Sequence, residues 1–172
     1  MNSGPSNLRC LLDRPGIIRS LGAHDAFTAI LLEDVGFEVV FLGGFGVSAS
    51  LLGMPDLDFL SMPQMAECID RITSRVSSPM IADGDTGHGN VRETVRAFEA
   101  AGAAGVLIED QISPKRCGHF GEKQVVDRNE MEIRIMDALE ARSNPDFLIL
   151  ARTDARQQKG LEEAVQRAKI CQ

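Results

Sequence analysis

Short apolar runs alternate with segments of helical spacing along the whole chain. The runs Ile17-Ile18, Val39-Val40-Phe41-Leu42, Met80-Ile81-Ala82, Val106-Leu107-Ile108 and Phe147-Leu148-Ile149-Leu150 each stop at glycines or at polar residues. Such runs predict buried strands, here over 16–21, 39–42, 79–82, 105–109 and 147–151. The stretches between them predict helices over 26–35, 63–76, 91–101, 129–142 and 161–171. In the first helix Phe27, Ile30, Leu31 and Val35 recur at helical spacing, Asp25 is placed to cap it and Gly36 ends it. Pro63 suits the first turn of the next helix. Residues 1–15 are polar apart from Leu11-Leu12 and read as an entry segment, and 43–56 reads as a long loop.

Five strand–helix alternations mean βα units and a parallel sheet. Polar residues gather after the strands, where βα loops carry active sites in both barrels and open sheets. A closed (β/α)8 barrel needs three more units and typically about 250 residues. A barrel with this pattern is therefore incomplete, occupying 16–172. Its first and fifth strands would have unpaired edges, and inward side chains such as Ile81 and Ile108 would lack partners.

Composition narrows the class. The 172 residues suffice for one domain with a real core. A net charge of −7 argues against a nucleic-acid partner. Cys10, Cys68, Cys117 and Cys171 show no paired spacing and read as free thiols in a reducing compartment. No apolar run approaches the roughly 20 residues that span a bilayer. The start of the chain lacks a signal core, so a cytoplasmic protein is expected.

The chemistry lies at the strand ends. Asp83-Gly84-Asp85 puts two carboxylates at i and i+2, a spacing that aims both to one side of a strand. Gly84 between them reads as room for a ligand. With Glu109 from the neighbouring strand, these hard oxygen donors suit Mg2+ or Mn2+; a turn that merely caps the next helix is the plainer alternative. Zinc fits poorly, because His88 and His119 have no paired ligand spacing. Gly43-Gly44-Phe45-Gly46 offers backbone N–H groups to a carboxylate or phosphate, or is simply a tight turn. Arg152 is placed to clamp a substrate oxygen or to be a solvated strand-end arginine, and Asp56 to support a metal or a turn. After Glu109, Pro114 and Gly118 break regular structure around Lys115-Arg116-Cys117-Gly118-His119. Lys115, Arg116 and His119 would stabilise a Cys117 thiolate and suit it to proton transfer or nucleophilic attack; an incidental cysteine on a basic surface loop is the alternative.

Together these residues resemble the isocitrate lyase/phosphoenolpyruvate mutase superfamily. The matching segments are Gly53-Met54-Pro55-Asp56, Asp83-Gly84-Asp85-Thr86-Gly87, Ile108-Glu109-Asp110-Gln111, Lys115-Arg116-Cys117-Gly118-His119 and Ala151-Arg152-Thr153-Asp154, in family order. The K-R-C-G-H run is the signature of the lyase branch, and the mutase branch lacks its cysteine. The resemblance implies a (β/α)8 barrel, usually a homotetramer, that splits a C–C bond of a small 2-hydroxy di- or tricarboxylate such as 2-methylisocitrate or dimethylmalate. It implies that Asp83 and Asp85 hold Mg2+, with Asp56 and Glu109 contributing through waters. Cys117 would be the general acid, with Lys115 and His119 supporting it. Substrate contacts would come from Gly43, Gly44, Phe45, Gly118, His119 and Arg152.

Two departures stand out. Close 2-methylisocitrate lyases read Y-L-S-G-G-G where this chain reads Phe41-Leu42-Gly43-Gly44-Phe45-Gly46, and the chain has no tyrosine at all. A tyrosine base is excluded, and the loop looks more like the 2,3-dimethylmalate lyase, petal death protein and oxaloacetate hydrolase group. The second departure is length, since the family's last three βα units are absent. Besides the lyase reading, an oxaloacetate-type C–C hydrolase on the same site and an inactive truncated barrel fragment are alternatives.

Overall fold

The structure, a computed structural model, describes residues 4–115 and 123–171. Five parallel strands, β1 (Ser20–Gly22), β2 (Val39–Leu42), β3 (Met80–Asp83), β4 (Gly105–Glu109) and β5 (Leu148–Arg152), form one sheet whose spatial order follows the chain. That order is the order of a (β/α) barrel wall, with β1 and β5 at its two edges. β1 is shorter than the expected 16–21, because pairing to β2 begins only at Ser20 opposite Val39.

Alternation decides which face each strand residue serves. Val40, Leu42, Met80, Ala82, Val106 and Ile108 point to the helical side and join the main core. That core also takes Met65, Ile69 and Ile72 from α4 (Met62–Thr73), Val95 and Phe98 from α5 (Val91–Ala100), and Ile135 and Ala138 from α6 (Arg128–Ala141). Ile108 is therefore fully buried, and the expectation that it faces the barrel interior is corrected. Ile81 does lie on the other face, in a small cluster with Val39, Ala104 and Leu148.

The entry segment is a helix, α1 (Gly4–Leu12), rather than a polar lead-in. Pro5 sits in its first turn, where a missing N–H costs nothing, and Leu8 is buried against Val39 and Ala104. Ser6 donates to Asp146 Oδ2 at 2.7 Å and Arg9 to the Asp146 carbonyl at 3.2 Å, which ties α1 to the segment entering β5.

Helix α2 (Ala26–Asp34) starts where Asp25 caps it, by accepting the Thr28 N–H at 2.8 Å. Its apolar stripe does not face the core, however. Ala29 and Leu32 are buried, whereas Phe27, Leu31 and Val35 are exposed, Phe27 to 72%. The expected loop at 43–56 is instead a helical turn, α3 (Gly44–Val47), continued by a π-helical turn, Ser48–Leu52, and closed by Gly53 at φ 62°. The last helix, α7 (Ala155–Ile170), begins six residues earlier than the spacing predicts and breaks at Gly160, whose φ of 84° is left-handed.

Candidate active site at the strand ends

Two groups of charged side chains gather at the carboxyl ends of β3, β4 and β5. In the first, Asp83 ends β3 and Asp85 follows with a left-handed φ of 49°. A turn, not strand alternation, thus brings the two acids together. Asp83 Oδ1 accepts the Asp85 N–H at 3.2 Å, and its Oδ2 accepts the Gly44 N–H at 3.3 Å. The Glu109 N–H donates to the Asp85 carbonyl at 2.8 Å, which locks the turn to β4. Gly84 serves packing and not a ligand: a Cβ there would lie 2.6 Å from Val106 Cγ2 and 2.8 Å from Ile108 Cδ1.

Lys115 reaches into this group and is buried, which overturns its reading as part of a surface loop. Its ammonium lies 2.7 Å from Asp56 Oδ1 and also pairs with Asp85. Its own N–H donates to Asp58 Oδ2 at 2.6 Å. Burial pushes the Asp85 carboxyl well above the usual carboxylate range and the neighbouring Asp83 adds to this, while Lys115 opposes it. Burial alone would lower the Lys115 pKa, but Asp85 and Asp56 raise it, so it stays an ammonium. In this arrangement that charge faces the carboxylates of Asp56 and Asp85.

The second group joins β4 to β5. Glu109 Oε1 accepts from Gln111 Nε2 at 2.9 Å, and Glu109 Oε2 lies 3.4 Å from the Arg152 guanidinium. Arg152 also pairs with Asp154 at 3.1 Å, and Lys123 donates to Asp154 Oδ1 at 2.7 Å. Burial raises the Glu109 carboxyl to about 7; Arg152 opposes the shift and Asp83 reinforces it. Behind this layer, Asp110 accepts from Thr153 Oγ1 at 2.6 Å, from the Asp154 N–H at 2.9 Å and from Arg167 Nη1 at 3.0 Å.

The structure therefore brings Asp56, Asp83, Asp85, Gly44 and Lys115 into one group, and Glu109 and Arg152 into the adjacent one. Gly44's N–H is directed at Asp83 in this arrangement. Phe45 is exposed beside Gly43 on an apolar cleft of about 590 Å3 that also takes in His24 and Phe41. Cys117, Gly118 and His119 lie outside the described residues. Sequence reasoning missed Lys123 and Arg167 and gave Asp110 no role. The available signals were the second acid directly after Glu109 and a Glu163–Arg167 pair one helical turn apart, which the structure joins at 2.9 Å.

The comparisons with known proteins bear on this geometry. The profile of the phosphoenolpyruvate phosphomutase family matches residues 8–171. The chain belongs to that family. It is 44% identical over 165 residues to 2,3-dimethylmalate lyase of Eubacterium barkeri, covering 94% of this chain and 57% of the relative. It is 40% identical to 2-methylisocitrate lyase of Escherichia coli K12, covering 98% of this chain and 58% of that one. Among solved structures, oxaloacetate acetylhydrolase in complex with 3,3-difluorooxalacetate superposes with a TM-score of 0.93 at 38% identity, over 98% of this chain and 60% of the other. A phosphonopyruvate hydrolase complex with oxalate and Mg2+ superposes with a TM-score of 0.89 at 35% identity, over 98% and 59%. The chain thus spans somewhat more than half the length of these family members, and its five βα units are part of a barrel wall.

A metal ion is implied by one of these relatives, and the residues can be tested for it. Among the described residues no three His, Cys, Asp or Glu side chains converge as a preformed metal cage. What the turn at Asp83–Asp85 does show is a carboxylate group that already holds one cation, the Lys115 ammonium, between Asp56 and Asp85. An all-oxygen donor set around a cation fits Mg2+ or Mn2+.

Proposed function

We propose that this chain carries the active-site half of a Mg2+-dependent C–C lyase acting on a small 2-hydroxy di- or tricarboxylate of the dimethylmalate or 2-methylisocitrate class. The observation that supports this most is the convergence of Asp56, Asp83, Asp85 and Lys115 beside Glu109 and Arg152 at the strand ends, in a chain 44% identical to a dimethylmalate lyase. Asp83 and Asp85 would hold the metal, with Asp56 and Glu109 contacting it through waters. Bound there, a divalent ion supplies Lewis-acid polarisation of the substrate's 2-oxygen. Arg152 orients that end of the substrate, and the backbone at Gly43, Gly44 and Phe45 its carboxylate. The 2-hydroxyl proton passes to a carboxylate of the strand ends, C2=O forms as the C2–C3 bond breaks, and the electron pair stays on C3. Cys117 gives C3 its proton, supported by Lys115, Gly118 and His119. One proton leaves oxygen and one reaches carbon, so the products are an α-keto acid and a second carboxylate. A homotetramer is part of the same reading and rests on the family resemblance; a cytoplasmic setting rests on the unpaired cysteines of the sequence.

The similarity to oxaloacetate acetylhydrolase supports a second reading, in which water is the co-reactant and oxaloacetate the substrate. A panel of 2-hydroxy acids and oxaloacetate, with keto-acid and oxalate readouts, tests both. It is run on this chain and on a chimera completed with the C-terminal remainder of the E. barkeri enzyme. Keto-acid release that is lost with EDTA and with Cys117→Ser is expected. Oxalate release alone selects the hydrolase, and no turnover by either protein overturns the proposal.

A further inference from the structure

We infer that the buried Asp110–Arg167 pair is a positioning device that holds three separate chain segments in register behind the active site. Both side chains are fully buried, and Arg167 is among the largest buried side chains of the molecule. Isolated charges are not buried without reason: their desolvation costs several kcal/mol per ion, offset only where geometry and hydrogen bonds are complete. Here they are nearly complete. Arg167 donates Nη1 to Asp110, Nη2 to the Val126 carbonyl at 2.7 Å, and Nε to Glu163 at 2.9 Å. Asp110 accepts three bonds, one from Arg167 and two from Thr153 and Asp154.

Together those bonds link the ends of β4 and β5, the stem at Val126 and the last helix. Asp110 directly follows Glu109. Thr153 and Asp154 directly follow Arg152, and the Asp154 carboxylate holds both Arg152 and Lys123. Val126 closes the stem of the segment that leaves β4: its N–H donates to the Asp110 carbonyl at 2.9 Å, and the Ile112 N–H donates to the Gln124 carbonyl at 2.9 Å. Arg167, in the last helix, therefore fixes residues 110–112 and 124–126 and the β5 end against each other. Lysine cannot do this, because the bonds to Asp110, Val126 and Glu163 need the guanidinium's planar fork. Asp110 and Arg167 touch no proposed reacting atom and are positioning residues. What they position is named on the strength of the lyase reading; that they position it is not.

Trypsin separates local from global loosening. Lys123 is buried and paired in the stem, whereas Arg75 is exposed at the end of α4. In Arg167→Lys and Asp110→Asn, cleavage after Lys123 should rise about tenfold relative to cleavage after Arg75, because the stem opens without the rest of the fold. Thr153→Val, which keeps side-chain volume and removes one bond to Asp110, should raise the same ratio about threefold. It decides the matter if the charged-pair variants fail to fold. Equal acceleration at both sites, or an unchanged ratio in folded variants, overturns the positioning role. Because the ratio needs no turnover, a chain that makes no keto acid but shows the shift loses the lyase reading and keeps this one.

Discussion

The two charge groups at the strand ends are built from the same residue types and differ in balance. Around the β3 turn, three carboxylates, Asp56, Asp83 and Asp85, face a single ammonium, that of Lys115. Between β4 and β5, Glu109, Asp110 and Asp154 face Arg152, Lys123 and Arg167. The second group pairs each of its three cations with a carboxylate and can serve as a scaffold. The first has more carboxylates than cations in a buried place; burial foremost, and Asp83 after it, raises the Asp85 carboxyl. A surplus of that kind marks where a cation is wanted; a balance marks where shape is held. Lys115 belongs to the first group and Lys123 to the second.

The largest effect should follow from removing an acid on the surplus side. Asp85→Ala should lower keto-acid release by at least about two orders of magnitude, more than the loss typical of a residue that only supports a metal ligand. Asp154→Asn, on the balanced side, should cost less in rate and more in stability. Equal losses of rate in the two variants would erase the distinction between the groups.

Removing the ammonium sharpens the contrast. Lys115→Met leaves the buried Asp85 and the partly buried Asp56 without their ammonium, and breaking such a buried pair typically costs about 3–5 kcal/mol. Chemical denaturation at neutral pH should show that loss, and millimolar Mg2+ should recover part of it. A variant as stable as the parent in EDTA would show that the acids are not held by Lys115.

The smallest effect concerns pH. Glu109 has its pKa raised from 4.5 to about 7, so the folded state holds this proton more tightly than the unfolded one. Its contribution to stability is complete below about 4.5 and is lost as pH rises through about 7. Glu109→Gln cannot titrate and should flatten this part of the stability curve, measured by denaturant midpoints in EDTA. An unchanged slope would mean that Arg152 fully compensates the burial.

Much of this was legible in the sequence. The strands expected over 39–42 and 105–109 match residue for residue, because apolar runs covered on both faces stop sharply at the glycine and the carboxylate that bound them. The helices expected over 91–101 and 129–142 lie within a residue of those found, where Asn90 and Asp127 cap them. The apolar side chains of α2 misled, because periodicity reports that a stripe exists and not which partner covers it. The turn at Asp85 and the packing role of Gly84 depend on β4 lying alongside, which no local pattern shows. Arg167 was invisible for a related reason. A charged residue on an amphipathic helix reads as a solvated position, and only the tertiary partners Asp110 and Val126 make it a buried one.

The account rests most directly on where a divalent cation binds. Calorimetric titration of Mg2+ into the chain, into Asp85→Asn and into Asp154→Asn measures this without any substrate. One-site binding that is lost in Asp85→Asn and kept within about threefold in Asp154→Asn is the expected result, since the latter residue lies outside the proposed ligand set. Binding that survives Asp85→Asn, or that disappears only with Asp154→Asn, would place the cation in the balanced group and contradict the reading of the site.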